Sequence, residues 1–229
     1  MTPLVIIGTG GHARETLDIV EAINAQSATF EFLGFVDEHR DNESLIAARG
    51  AHIVGSLETL REREKHILYV IGIGAGETRR RIDRQLTEWG FDAAVLVHPD
   101  ATVGTVITLG AGAVIAAGAR ITTNVTLGRH AHVNVNASVS HDCRLAEYVT
   151  ISPGVTVSGN VSIGEGTLMG AGSTIIQNLS IGAWATIGAG AVVVTDLPDA
   201  VTAVGIPARP RPAAIGAARD RVAPTRQDP

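Results

Sequence analysis

The sequence predicts a small α/β unit followed by a three-sided parallel β-helix. Three observations lead there. An apolar residue recurs every six positions through the second half, strand and helix patterns alternate in the first, and aromatics make up only 3% of the 229 residues. Apolar content as a whole is an ordinary 45%. The core is therefore built from Ala, Val, Ile and Leu, which suits thin layers repeated many times.

In chain order, "LVIIG" (4–8) reads as a short buried strand, followed by the turn "GTGGHA". A helical stretch runs to about residue 25, with Leu17, Val20, Ile23 and Asn24 near i, i+3 spacing. "EFLGFVD" (31–37) and "ILYVIGIG" (67–74) read as further strands, and "ETRRRIDRQLTEWG" (77–90) as a helix closed by Gly90. Strands alternating with helices imply a parallel sheet in a Rossmann-like half domain. "DAAVLVHP" leads out of it, and the boundary falls near residues 95–100. The expected division is 1–97, 98–206 and a Pro/Ala/Arg-rich tail over 207–229, loosely ordered beyond about 212.

From Val103 the six-residue series runs without insertion through Leu109, Ile115, Ile121, Leu127 and Val133 to Ile187 and Val193. The residue two before each is small or apolar, as at Ala113, Ala137, Cys143 and Val155. Neither the helical nor the strand period yields six. A side of six residues used three times per coil does, with tight corners between the sides. This register makes Cys143 an inward core residue and puts His141, two past Val139, at the turn end of its side. Its neighbours one coil away are Thr123 and Gly159, which leaves a hollow beside the ring. From this periodicity alone "HD" at 141–142 reads equally well as a general base with its orienting acid or as an ordinary surface pair.

Two other motifs keep alternatives open. Gly8, Gly10 and Ala13 fit G-x-G-x-x-A, with Asp37 where a ribose-binding acid would sit. That pattern serves NAD, a nucleotide-linked substrate held at a helix N-terminus, or a plain strand-to-helix turn. A redox role is disfavoured, because the unit is only one mononucleotide-binding half and the solenoid has no place for a nicotinamide. "HAH" (130–132) with His141 suggests zinc, but these positions lie at different points of the hexad, and polar corner residues are the expectation. "REREK" (61–65) reads as a solvated face.

The formal charge of −5 disfavours a nucleic-acid surface. No apolar run reaches the roughly 18 residues of a membrane helix, and no secretory signal is evident. A single cysteine excludes an internal disulfide and fits a reducing, cytoplasmic setting.

"VIIGTGGHAR", "GFVDE", "IGIGAGETR", "VHPDATVG", "SHDC" and "VGIPAR" occur in that order, with hexads such as "IGEGTL". Together they resemble the sialic-acid O-acetyltransferase-like sugar acyltransferases, which include bacterial N-acetyltransferases acting on nucleotide-linked 4-amino sugars. The resemblance covers residues 4 to about 210. It implies a left-handed helix and a homotrimer, whereas the general crossover rule favours the right hand. By resemblance, His141 is the catalytic base and Asp142 the acid beside it, where several relatives have Glu. The nucleotide and phosphates would lie against Gly10, Gly11 and His12, with Asp37, Glu38 and Gly74 nearby. Acetyl-CoA would lie along the solenoid between subunits, around Ala171 and Ala189. Some relatives have a CoA-contacting histidine where this chain has Thr150. The expected function is acetyl-CoA-dependent N-acetylation of a nucleotide-linked amino sugar, first a 4-amino-4,6-dideoxy sugar, without metal or NAD. The alternatives are O-acetylation of a sialic-acid-type sugar and a non-catalytic nucleotide-binding trimer.

Overall fold

The computed structural model of the chain describes residues 1–211. In the first strand, β1 (Thr2–Ile7), alternation puts successive apolar residues on opposite faces. Leu4 and Ile6 pack with Ala13, Leu17 and Val20 of α1 (Gly11–Gln26). Val5 and Ile7 face the other way, in one cluster with Ile82 and Leu86 of α4 (Gly76–Glu88). Strands β2 (Phe30–Val36), β3 (Ile53–Gly55) and β4 (Leu68–Ile71) complete an all-parallel sheet of order β3-β2-β1-β4. The strand β3 and the short helices α2 (Glu43–Ala47) and α3 (Leu57–Arg61) were not anticipated. They are three to five residues long, too short to show a period.

The solenoid is a left-handed parallel β-helix of three sheets. Leu96–Val97 already belongs to its eight-stranded sheet, pairing with Val114–Ile115. Partners lie one coil apart in every sheet, as in Val133↔Ile151 and Val139↔Val157. The inward series is buried from Ile115 through Val193, and Cys143 is buried with it. Each such Val, Leu or Ile adds ~1.5–3 kcal/mol of burial. Val103 and Leu109 are only half-buried because they form the open first turn of the helix. Arg209–Arg211, placed in the tail by composition, pairs antiparallel with Thr202–Val204. The expectation of loose order beyond about 212 lies outside the described residues.

The corners have a regular backbone signature. Every sixth residue from Val106 to Gly190 has a φ between 51° and 75°. These are left-handed positions, cheap for Gly, Asn and Asp and costly for others. They fall on Asn124, Asn136, Asp142 and Asn160, but also on His130, Tyr148 and Trp184. Strand register stacks them in three columns, one along each edge of the triangular prism. Among the described residues, no helix is long and apolar enough to cross a membrane.

The first domain docks on the edge that carries His130, Tyr148 and Trp184. Arg79 of α4 is fully buried and donates to the carbonyls of His130, Tyr148 and Val149 and to Thr150 Oγ1. It also donates to the carbonyls of Ile73 and Gly74. Burial pushes its pKa down to about 9. One turn on, Asp83 accepts from Arg129, His130, Tyr69 and Tyr148. Burial, the largest single influence, pushes its carboxyl up, but His130, Arg129 and Tyr148 together outweigh it and hold the carboxyl far below the usual range. The Arg80 guanidinium lies 4.3 Å above the Trp184 ring.

Candidate active site

The six sequence-predicted nucleotide residues come together. Gly10, Gly11, His12, Asp37, Glu38 and Gly74 all line one cavity of about 510 Å³. It opens at the carboxyl ends of β1, β2 and β4, beside the point where strand order reverses, the usual ligand position in open α/β sheets. The backbone turns sharply at Gly8 (φ 99°) and is extended at Gly10, so α1 starts directly at the cavity. Gly72, behind it, must be glycine, because a Cβ there would collide with Ala13 of α1. Asp37 is fixed by Thr9 Oγ1, which donates to its Oδ2 at 2.7 Å, and by the His39 amide at 3.0 Å. Thr78 and Arg81 of α4 complete the wall. Sequence reading assigned 77–90 only as a helix and gave Arg81 no role, because nothing local shows which face of that helix borders the cleft.

"HAH" behaves otherwise than expected. The polar-corner reading is corrected for both residues. His130 does occupy a corner but is fully buried, with Nε2 2.8 Å from Asp83 Oδ1. His132 is on a strand, 1% exposed, with Nδ1 3.0 Å from His12 Nε2. The first domain covers them, and sequence alone did not show where it would dock. Among the described residues no group of three or more His, Cys, Asp or Glu forms a metal cluster. Thr150 also lies on this wall. Its hydroxyl accepts from Arg79 and donates to the Gly74 carbonyl at 3.1 Å, so its O–H is already engaged within the chain.

His141 stands on another edge, exposed. Its Nδ1 lies 2.7 Å from Asp142 Oδ2. Asp142 sits at a left-handed corner (φ 62°), and its Oδ1 accepts from Asn124 Nδ2, one coil earlier, at 2.6 Å. The Asn124 bond, then the His141 bond, hold the Asp142 carboxyl below the usual range. The ring rests over Gly159, where an added Cβ would meet His141 Cε1 at 2.5 Å and Nε2 at 2.6 Å. With the carboxylate accepting from Nδ1–H, Nε2 carries the lone pair. Cys143 is core, its thiol pushed up by burial and donating to the Ser158 carbonyl at 3.1 Å. Ala171 and Ala189 are exposed and stack on the third edge, linked by the Gly190 amide donating to the Ala171 carbonyl.

The sequence profile of the PglD N-terminal domain family matches residues 3–86. A comparison with curated proteins gives no match. Solved structures are similar over nearly the whole chain. The GDP-perosamine N-acetyl transferase of Caulobacter crescentus, crystallised with CoA and GDP-perosamine, is 33% identical with a TM-score of 0.84. The similarity covers 92% of this chain and 97% of that one. The acetyltransferase domain of PglB from Neisseria gonorrhoeae is 34% identical with a TM-score of 0.85, covering 92% of this chain and all (100%) of that one. WeeI from Acinetobacter baumannii is 26% identical with a TM-score of 0.81, covering 92% and 100%. With the first domain matched by its family profile and over nine-tenths of the chain matched at 33–34% identity, the chain belongs to the hexapeptide-repeat nucleotide-sugar N-acetyltransferases that carry a PglD-type N-terminal domain.

Proposed function

We propose that this chain transfers the acetyl group of acetyl-CoA to the amine of a nucleotide-linked amino sugar, in sites completed between copies of a homotrimer. The nucleotide and diphosphate occupy the cavity at the glycine turn, and CoA runs along the column of Ala171 and Ala189. The amine attacks the thioester carbonyl, a C–N bond forms, the C–S bond breaks and CoA leaves as the thiol. His141 Nε2 takes the proton the amine loses. Asp142 keeps that nitrogen unprotonated and stabilises the imidazolium, the division of labour of an oriented histidine base.

The observation that carries this reading is the His141–Asp142 pair, its ring seated over Gly159 with Nε2 bare. N-acetylation is favoured over the O-acetyl alternative by the relatives, one of them an N-acetyl transferase crystallised with GDP-perosamine. Placement supports the trimer. In one chain the cleft, the Ala171–Ala189 column and His141 stand on three different edges, and a second copy would bring His141 to the cleft.

A mixing experiment tests both parts. Gly10→Val fills the cleft yet is tolerated by the fold, since a Cβ there meets nothing within 4 Å. His141→Ala removes the base. Each alone is inactive in a thiol-release assay with amino-sugar nucleotides, 4-amino-4,6-dideoxy sugars first. Mixed equally in re-formed trimers, about one site in four pairs an intact cleft with an intact base, and activity returns to about that fraction. No recovery from mixed trimers would refute the shared site, and no turnover of any amino-sugar nucleotide by wild type would refute the activity.

A further inference from the structure

His12 and His132 join the cleft to the solenoid, and their hydrogen-bond pattern is directional. His12 Nδ1 lies 3.4 Å from Glu15 Oε2, and its Nε2 lies 3.0 Å from His132 Nδ1. His132 Nε2 is buried without a partner. Two tautomer patterns satisfy the His–His bond. In one, His132 Nδ1–H donates to His12 Nε2, His12 Nδ1–H donates to Glu15, and His132 Nε2 is left as a bare lone pair. In the other, every direction reverses. A His12 lone pair then faces the Glu15 carboxylate, and His132 Nε2–H becomes a buried donor with no acceptor. The second pattern adds a lone-pair clash at the exposed Glu15 contact and, at His132, a buried donor left unmade, which is the costlier of the two. The first has neither. Burial, the leading cause at both rings, lowers both histidines, so both are neutral at neutral pH.

The long contact to Glu15 is the weak link. Glu15 borders the neighbouring cavity and not the cleft, whereas His12 borders both, so an anion bound where the two meet can take over the Nδ1–H from a Glu15 side chain that is 70% exposed. The Nε2 side cannot turn to a ligand while His132 holds it.

We propose that His132 is a positioning residue for sugar-nucleotide binding: its buried Nδ1–H locks His12 in the Nδ1–H tautomer, so that His12 presents a donor to the diphosphate in the cleft. This rests on the reading that the cleft binds the nucleotide. Neutral histidine side chains in water prefer the Nε2–H form, so the lock has a spectroscopic signature of its own.

The test is nitrogen-15 NMR of histidine-labelled trimer, with His12 assigned by a His12→Gln variant. Wild type is expected to show His12 as Nδ1–H. His132→Leu is expected to move it towards Nε2–H and to raise the nucleotide-sugar KM about five- to tenfold, leaving kcat and the acetyl-CoA KM within about twofold. His132→Asn places an amide N–H where Nδ1 was and is expected to restore both tautomer and KM, which a purely structural defect would not do. The proposal is overturned if wild-type His12 is Nε2–H, if His132→Leu alters neither tautomer nor KM, or if His132→Asn behaves as Leu does. Calorimetry with the nucleoside diphosphate separates the two ideas. No binding to wild type sinks the cleft reading itself, whereas normal binding with an unlocked tautomer sinks only the role of His132.

Discussion

Gly159→Ala is the most economical test of the proposed catalytic corner, because it displaces His141 without replacing it. A Cβ at this position would lie 2.5 Å from His141 Cε1, 2.6 Å from Nε2 and 3.1 Å from Nδ1. Carbon pairs settle at ~3.5–4.0 Å, so the ring must move by about 1 Å or swing away. It has somewhere to go, since the His141 side chain is 61% exposed. Gly159 is not among the left-handed corners, so alanine adds no backbone strain. The fold should therefore survive while the 2.7 Å bond to Asp142 is lost. A misplacement of about 1 Å in a reacting group costs on the order of 10²-fold in rate, within the ~10²–10⁴-fold that a positioned base supplies. We expect kcat to fall about a hundredfold in thiol-release kinetics, both KM values to stay within about threefold, and the melting temperature to hold. Gly159→Ala placed on top of His141→Ala should cost nothing more, because the two act through one group. A Gly159→Ala enzyme within about threefold of wild-type kcat, or a double variant much slower than His141→Ala, would refute this account of the corner.

Other consequences arise from the same geometry. Arg81→Gln removes a cation from the cleft wall and should raise the nucleotide-sugar KM roughly tenfold, by loss of a charge-assisted bond of ~1.5 kcal/mol, with less salt dependence than wild type in steady-state assays. Asp83→Ala leaves Arg129 and His130 without their buried acceptor and should cost about 3–5 kcal/mol in urea denaturation. Because the Asp83 carboxyl is held far below the ordinary range, its contribution is present in full at neutral pH and is lost progressively as pH falls from the ordinary carboxylate range through that low folded value. Asn124→Ala removes the leading cause of the lowered Asp142 pKa, so the Asp142 carboxyl should titrate at higher pH by carbon-13 NMR. Its hold on His141 would then be lost earlier as the solution is acidified.

The parts of the molecule legible in the sequence are those that repeat and those whose partners are neighbours along the chain. The hexad series announced the solenoid because each inward residue has the same environment, so one period runs from Ile115 to Val193. The glycine turn and Asp37 were legible because a strand end, a tight turn and a helix start are consecutive in the chain. His141 was placed correctly at a turn end, and Gly159 beneath it, by counting one coil forward. The domain junction was not read, although it left a trace. Arg79, Ile82, Asp83 and Leu86 form the i, i+3, i+4, i+7 stripe that α4 buries, so two charges lie on an apolar face. Charges on a buried stripe imply buried partners, but those partners, His130, Tyr148 and Arg129, are 46 or more residues away in the chain. No local pattern links them. The unexpected burial of His130 and His132 has the same cause.

The three columns explain how so repetitive a scaffold acquires a site. Every corner has the same left-handed backbone, so edges differ only in what the side chains do there. On one edge large corner residues, His130, Tyr148 and Trp184, break the preference for small ones, and glycines stacked beside them make room. Gly112 lies against the His130 ring and Gly166 against Trp184. That column offers rings and carbonyls to α4, so the first domain docks there. On the second edge a polar column of Asn124, Asp142, Asn160 and Asn178 links neighbouring coils through side-chain bonds, 2.6 Å at Asn124–Asp142 and 2.9 Å at Asn160–Asn178. One histidine inserted beside that ladder inherits an oriented carboxylate. The third edge carries the exposed Ala171 and Ala189. On the proposed function, anchoring, proton transfer and cofactor contact use one column each, and a rigid prism cannot fold its edges together. On the proposed reading another copy, rotated about an axis along the prism, joins them, and a threefold assembly is the arrangement that the mixing experiment tests.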